Sequence, residues 1–291
     1  MSGENQYVDL IKNIIAHGTE ETGRNGKVLS SFGHSMRFSL RNGVMPLLTT
    51  KRVAWKTCFQ ELMWFLRGST NNRELNEKNV HIWDDNSTRE FLDGRGLTNR
   101  EENDLGPVYG HQWRFFNAEY TTCHDDYKGK GVDQLQNIIC DLKDPSKRTS
   151  RRMLMSAWNP QQLDEMALPP CHVLAQFHVS EGKYLSCALY QRSGDVGLGV
   201  PFNIASYSFL THILAKHCGL EAHEFVYFLG NAHIYEEHVA PLQQQIMRAP
   251  LSFPTMSIQQ THDNIEDYTL DDIVWSSPYE HHPTIKMNMV A

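Results

Sequence analysis

No Cys-X-X-Cys pair occurs anywhere in the 291 residues, no Gly-Lys-Ser or Gly-Lys-Thr closes a glycine-rich loop, and no apolar run approaches the length of a membrane span. Each absence excludes something. The six cysteines, at 58, 123, 140, 171, 187 and 218, form neither a zinc knuckle nor a disulfide framework in a chain of this size. The Gly-Leu-Gly at 197–199 lacks the register and the downstream acid of a dinucleotide fingerprint, and there is no P-loop. A spanning helix needs about 20 apolar residues, so no membrane partner is expected. Positive charge is scarce too. Lys and Arg number 27 against 34 Asp and Glu, a formal charge of −7, which weighs against a generic nucleic-acid binder but leaves room for a local basic pocket. The amphipathic start, with its early acids, carries no secretory pattern, so a cytoplasmic location is expected.

What is present reads as one folded domain over residues 1–291, with polar surface insertions near 86–103 and 117–131. Helical spacing marks 5–18, 54–66 and 132–143, and a long apolar helix covers 203–218. Strands are expected at 27–41, 153–159 and 225–235, with a hairpin across 173–190 turning at Glu181-Gly182. Residues 105–115 read as a turn-rich piece and 194–203 as a glycine-rich loop, with Asn203 as a helix N-cap. The fold class is α+β, a mixed and mostly antiparallel sheet flanked by helices. The apolar strands at 173–190 could also pack against another subunit, so a homodimer, with sheets packing back to back, is an expectation.

Cys171 lies in LPPCHVLAQF, between two prolines and a histidine. Three readings stand: a buried small hydrophobe, a metal ligand, or a nucleophile. Pro169 and Pro170 put it at a strand mouth, where Arg192 would favour the thiolate. His172 is a poor partner base, because adjacent strand residues point to opposite faces. Glu61, set among Phe59, Leu62, Met63 and Trp64, is either on an exposed stripe or partly buried, and burial would suit it to proton transfer. Arg24, Arg148, Arg151, Arg152 and Arg192 are either solvated charges or the makings of a dianion site. Asn203 either caps a helix or reads an amide edge. Asp195 is an ion-pair partner or a heterocycle acceptor. His233 and Tyr235 pack at a core edge or bind a hydroxyl.

Taken together, PPCH (169–172), LYQRSGD (189–195), LGVPFNIASY (198–207) and GNAHIY (230–235) resemble the folate-dependent thymidylate synthase family. LTTKR (48–52), ELMWFLRGSTN (61–71), IWDD (82–85), DLGPVYGHQWR (104–114) and HPTIKM (282–287) extend the likeness over essentially the whole chain, and the polar insertions resemble eukaryotic-type members.

The resemblance implies reductive methylation of dUMP to dTMP, with 5,10-methylenetetrahydrofolate giving carbon and hydride and leaving as dihydrofolate. No metal is implied. Cys171 matches the nucleophile that adds to uracil C6, and Glu61, Tyr109 and His172 match its proton-handling network. Arg24, Arg192 and Ser193 match phosphate ligands. Arg151 and Arg152 match the pair lent to the neighbouring subunit of a homodimer. Asn203 matches the uracil reader, and His233 and Tyr235 match the ribose contacts. Lys51, Trp83, Asp195, Gly199, Phe202 and the C-terminal Ala291 match the folate side.

Three departures stand out: NGKV at 25–28 after Arg24, Asn231 where the family carries Asp, and a longer loop that offers Arg148 as a further phosphate partner. The alternatives are a dCMP hydroxymethylase-like activity, disfavoured by Asn203, and an RNA-binding regulatory role.

Overall fold

The computed structural model describes residues 3–23 and 25–289. In chain order its elements are α1 (Asn5–His17), β1 (Thr19–Gly23), β2 (Gly26–Ser39), α2 (Trp55–Leu66), α3 (Asn72–Asn76), α4 (Asp84–Ser87), α5 (Arg89–Gly94), α6 (Tyr109–Phe115), α7 (Gln134–Lys143), β3 (Leu154–Ser156), β4 (His172–Ser180), β5 (Tyr184–Asp195), α8 (Gly199–His217), β6 (Glu221–Tyr235), α9 (Val239–Gln245), β7 (Met256–Ile258) and β8 (Ile273–Trp275). Among the described residues, six strands form one sheet in the order β1-β2-β6-β5-β4-β3. Only β5 and β6 run parallel within it; the other neighbours are antiparallel. β7 and β8 make a small second sheet. The fold is the expected α+β arrangement.

The parallel pair requires a crossover, and α8 supplies it. This helix packs on β5 and β6 with one side and on α2 with the other, so it is buried nearly all round. That explains an apolar sequence without a clear polar face. Its buried Ser208 and Thr211 return their hydroxyls to the carbonyls of Ile204 and Tyr207, each at 2.7 Å, which satisfies them without a solvent face.

α2 buries Cys58, Phe59, Leu62, Met63, Phe65 and Leu66 at helical spacing. α6 lies so close to it that a Cβ on Gly110 would stand 2.9 Å from the Phe65 carbonyl, a position only glycine fills. Phe65 packs on Tyr109 and Trp113 with ring centroids 5.0 and 5.5 Å apart.

Three expectations need correction. Residues 109–115 are helical, not turn-rich; seven residues form a helix only because packing on α2 stabilises them. α8 begins at Gly199, with Leu198 at its N-cap, so Asn203 does not cap it. Pro201 is tolerated there because first-turn N–H groups have no intrahelical acceptor. β5 runs on to Asp195 because its last residues continue to pair with β6, as far as Asp195 opposite His233.

One sheet face is covered by α1 and α8. The other exposes Phe32, Tyr190, Phe228 and, on the edge strand, Leu154. Tyr190 stands opposite Phe228 across the β5–β6 pair. The 117–131 segment is not uniformly polar: Tyr120 and Tyr127 stack at 5.5 Å, and both rings meet His111 edge-on. No helix among the described residues is long and apolar enough to cross a membrane.

Candidate active site

Cys171 sits one residue before β4, half-buried, with its backbone held from two sides. Its N–H donates to the Tyr109 hydroxyl at 2.7 Å, and its carbonyl accepts from the Arg192 N–H at 3.0 Å. Pro169 and Pro170 leave their carbonyls free of the ladder, and the Arg192 side chain takes them, Nε to Pro170 at 2.8 Å and Nη2 to Pro169 at 3.0 Å. The guanidinium also lies over the Trp158 ring at 5.6 Å.

Arg192 does lower the thiol's pKa by its charge, but burial outweighs it and the net shift is upward. Burial and the guanidinium thus act in opposite directions on this sulfur.

His172 does not face the thiol. Its Nε2 lies 2.7 Å from the Asn203 amide nitrogen. The donor direction follows from a chain of acceptors. The Ser193 carbonyl accepts from Gln191 Nε2 at 2.9 Å, which sets that amide. The same nitrogen donates to Asn203 Oδ1 at 3.0 Å, which sets the next. Asn203 must then present its NH2 to His172, so the imidazole is neutral with its proton on Nδ1. Burial holds its pKa down at about 4, in agreement. The Tyr227 hydroxyl closes the chain on Gln191 Oε1 at 2.6 Å.

Glu61 lies on the inner part of α2, and Trp83 donates its indole N–H to Oε1 at 2.8 Å. Burial raises the carboxyl to about 7 against that bond. Tyr109 lies between Trp83, which it meets edge-on, and His172, to which it is tilted, with centroids 6.0 and 5.0 Å away. Of the two readings of Glu61, the partly buried one holds.

The Gly-rich turn after β5 gathers the remaining groups. Asp195 Oδ1 accepts from the Gly197 N–H at 2.8 Å. Lys51 Nζ donates to the Gly197 carbonyl at 2.6 Å. Burial pulls this amine down to about 8, with Asp195 opposing. Lys51 is presented by Thr49 and Thr50, whose N–H and hydroxyl groups all donate to the buried Glu4 carboxylate at 2.6–2.8 Å. A Cβ on Gly197 would lie 2.8 Å from His238 Nδ1 and 3.1 Å from Met287 Sδ, so the residue must be glycine. Gly199 and Phe202 lie in the first turn of α8, and Phe202 packs on the core.

His233 pairs across from Asp195, its Nδ1 3.0 Å from Asn231 Oδ1, and its ring meets Tyr235 edge-on. Asn231 therefore orients the imidazole without charge. Ser193 pairs with Asn231 on the same strands.

Other positions fall elsewhere. Arg151 and Arg152 are exposed on the loop that enters the edge strand β3. Arg148 is not a phosphate partner: its guanidinium donates to the carbonyls of Leu142, Gly182 and Cys218. Arg24 and Ala291 lie outside the described residues. A cavity of about 520 Å³ lined by Arg41, Tyr184, His212 and Glu221 sits at the opposite end of β5 from Cys171 and holds none of the groups above. No cluster of three metal-ligating side chains occurs among the described residues.

Gln191, Tyr227 and His238 belong to the site and are not evident from the sequence as read. The signal for Gln191 was its place beside Arg192 on a strand, where alternation sends it to the opposite face.

A cysteine at a strand mouth, a carboxyl raised toward neutrality and an oriented amide thus lie at the same end of a mixed sheet in an α+β fold. Sequence comparison makes the class specific. A family model described as thymidylate synthase matches residues 5–291, and the chain belongs to that family. It is 54% identical over 290 residues to the bifunctional dihydrofolate reductase-thymidylate synthase of Plasmodium berghei, covering 99% of this chain and 48% of that protein. It is 51% identical to bifunctional dihydrofolate reductase-thymidylate synthase 1 of Arabidopsis thaliana, covering 98% and 54%. Human thymidylate synthase is 51% identical over 290 residues, covering 99% of this chain and 91% of the human protein. The chain thus spans about half the length of the bifunctional relatives it matches.

Proposed function

We propose that this chain catalyses the reductive methylation of dUMP to dTMP in the cytoplasm. The one-carbon unit and the hydride come from 5,10-methylenetetrahydrofolate. The observation that carries the reading, beside family membership, is the relay from the Ser193 carbonyl through Gln191 and Asn203 to His172. After these bonds Asn203 keeps one N–H and one oxygen lone pair. Those fit the C4 carbonyl and N3–H of uracil. A cytosine edge presents the opposite pattern and would need the amide to flip, which the relay resists.

Cys171 serves as the nucleophile toward C6, and it must shed its proton as it attacks. Tyr109 accepts from the Cys171 N–H and its ring meets Trp83, which donates to Glu61, so it links the two. Glu61, poised at about 7, suits proton exchange near neutrality. Arg192, Ser193 and Arg24 are assigned to the phosphate, and His233 and Tyr235 to the ribose hydroxyl. Asp195, Lys51, Trp83, Gly199, Phe202 and Ala291 are assigned to the folate. The bound folate supplies the carbon and the hydride; the residues orient it and exclude water.

A homodimer is part of the proposal. Its support is the exposed Phe32, Tyr190 and Phe228 on an otherwise uncovered sheet face, with Arg151 and Arg152 exposed beside it to reach a partner's phosphate. The whole chain would act as one catalytic unit, with surface segments near 86–103 and 117–131.

The test is spectrophotometric: protein, dUMP and the folate should yield dihydrofolate. Faster turnover of dCMP would assign the hydroxymethylase-like activity instead, and no turnover with retained RNA binding would assign the regulatory one.

A further inference from the structure

We infer that His238 is a positioning residue that joins the C-terminal segment to Asp195, so that seating the tail and aiming that carboxylate are one event. This rests on the proposed role of Asp195 toward the folate.

His238 follows β6 and is wholly buried. Its Nε2 lies 2.8 Å from the Asn288 carbonyl. A carbonyl only accepts, so Nε2 carries a proton. Its Nδ1 lies 3.6 Å from Asp195 Oδ1, an ion-pair distance and not a hydrogen bond, and that nitrogen is buried without a hydrogen-bond partner. Gly197 is the meeting point of both contacts, since its α-carbon hydrogens face His238, Met287 and Asp195 together.

The two protonation states differ sharply here. Neutral His238 turns a bare lone pair on Nδ1 toward a carboxylate. Protonated His238 donates from both nitrogens, one to the tail and one to Asp195. The charged groups facing it are Asp195, Glu237 at 3.7 Å from Nε2, and Lys51 and His233 through Asp195; Tyr235 meets it edge-on. The acids prevail: burial lowers the pKa, but Asp195, the Asn288 carbonyl and Glu237 raise it above the ordinary histidine value. The contact with Asp195 is therefore tight on the acid side and loosens as pH rises through the raised His238 pKa.

Two isosteres separate its two contacts. In His238→Asn the amide reaches the place of Nδ1, and in His238→Gln it reaches that of Nε2. Two readouts are used on the full chain. One is tryptic cleavage after the exposed Lys286 without ligands, followed by intact mass and normalised to a model peptide. The other is steady-state kinetics across pH. His238→Asn should be cleaved about tenfold faster than the unaltered chain. His238→Gln should be cleaved within about twofold of it. Both should raise the KM for folate about tenfold, leave the KM for dUMP within about threefold, and lose the alkaline fall in kcat/KM for folate. Unchanged cleavage in His238→Asn together with unchanged folate KM in both variants would overturn the inference. If the unaltered chain shows no turnover, the proposed activity fails while the cleavage ratio still decides the role of His238. If neither variant folds, the unaltered chain decides: a fall of kcat/KM for folate on the alkaline side that is absent from kcat/KM for dUMP supports the link, and parallel profiles refute it.

Discussion

Asn203, near the start of α8, meets His172, at the start of β4, at 2.7 Å, and that contact fixes the imidazole's tautomer. The direction is inherited from the Ser193 carbonyl, which cannot donate. Breaking the relay should therefore act on selectivity more than on binding. Gln191→Leu leaves Asn203 free to rotate. We expect kcat/KM for dUMP to fall about tenfold, near the cost of one buried hydrogen bond, and the preference over dCMP to narrow. Steady-state kinetics with both nucleotides checks this.

Glu61 makes a prediction about pH. Its carboxyl is raised from 4.5 to about 7 by burial, against the Trp83 bond. A group with a raised folded pKa contributes its stability below the unfolded value and loses it as pH rises through the folded one. Between pH 4.5 and 7 the loss is on the order of 2–3 kcal/mol. Glu61→Gln should remove that slope in denaturant titrations and flatten the activity profile near 7.

Three buried histidines act in the opposite sense. His111, His172 and His212 are each held down at about 4 by burial. Depressed histidines contribute stability above 6.5 and lose it as pH falls toward 4, up to about 3 kcal/mol apiece. Their sum exceeds the Glu61 contribution, so the chain should unfold in acid. Chemical denaturation midpoints at neutral pH and at about pH 5 test the sign.

The exposed sheet face predicts assembly. Phe228→Glu places a charge opposite Tyr190. Sedimentation should show a monomer, and activity should fall at least about a hundredfold, because each phosphate site would lose the partner's arginines. A variant that stays dimeric and active would remove this face from the interface.

Much of the fold was legible because its signals are local. The spacing of Leu62, Phe65 and Leu66 marks α2, and the uniform apolarity of 203–218 marks a buried helix. α6 was not legible, because its stability comes from Phe65 on another helix. Nor was the end of β5, which depends on pairing with β6. In the site, Cys171 and Arg192 could be singled out by residue type. The thiol's protonation could not, since burial and the guanidinium oppose each other and only geometry weighs them. Gln191 and His238 stayed hidden because each acts through a partner distant in sequence.

The central claim is that Cys171 attacks the pyrimidine, and mass spectrometry of a trapped adduct tests it most directly. Incubated with 5-fluoro-dUMP and methylenetetrahydrofolate, the protein should gain the mass of both ligands on the peptide that contains Cys171, and Cys171→Ser should gain none and lose at least about a thousandfold in turnover. An adduct on Cys58, Cys187 or any other cysteine, or a Cys171→Ser protein that turns over normally, would contradict the account.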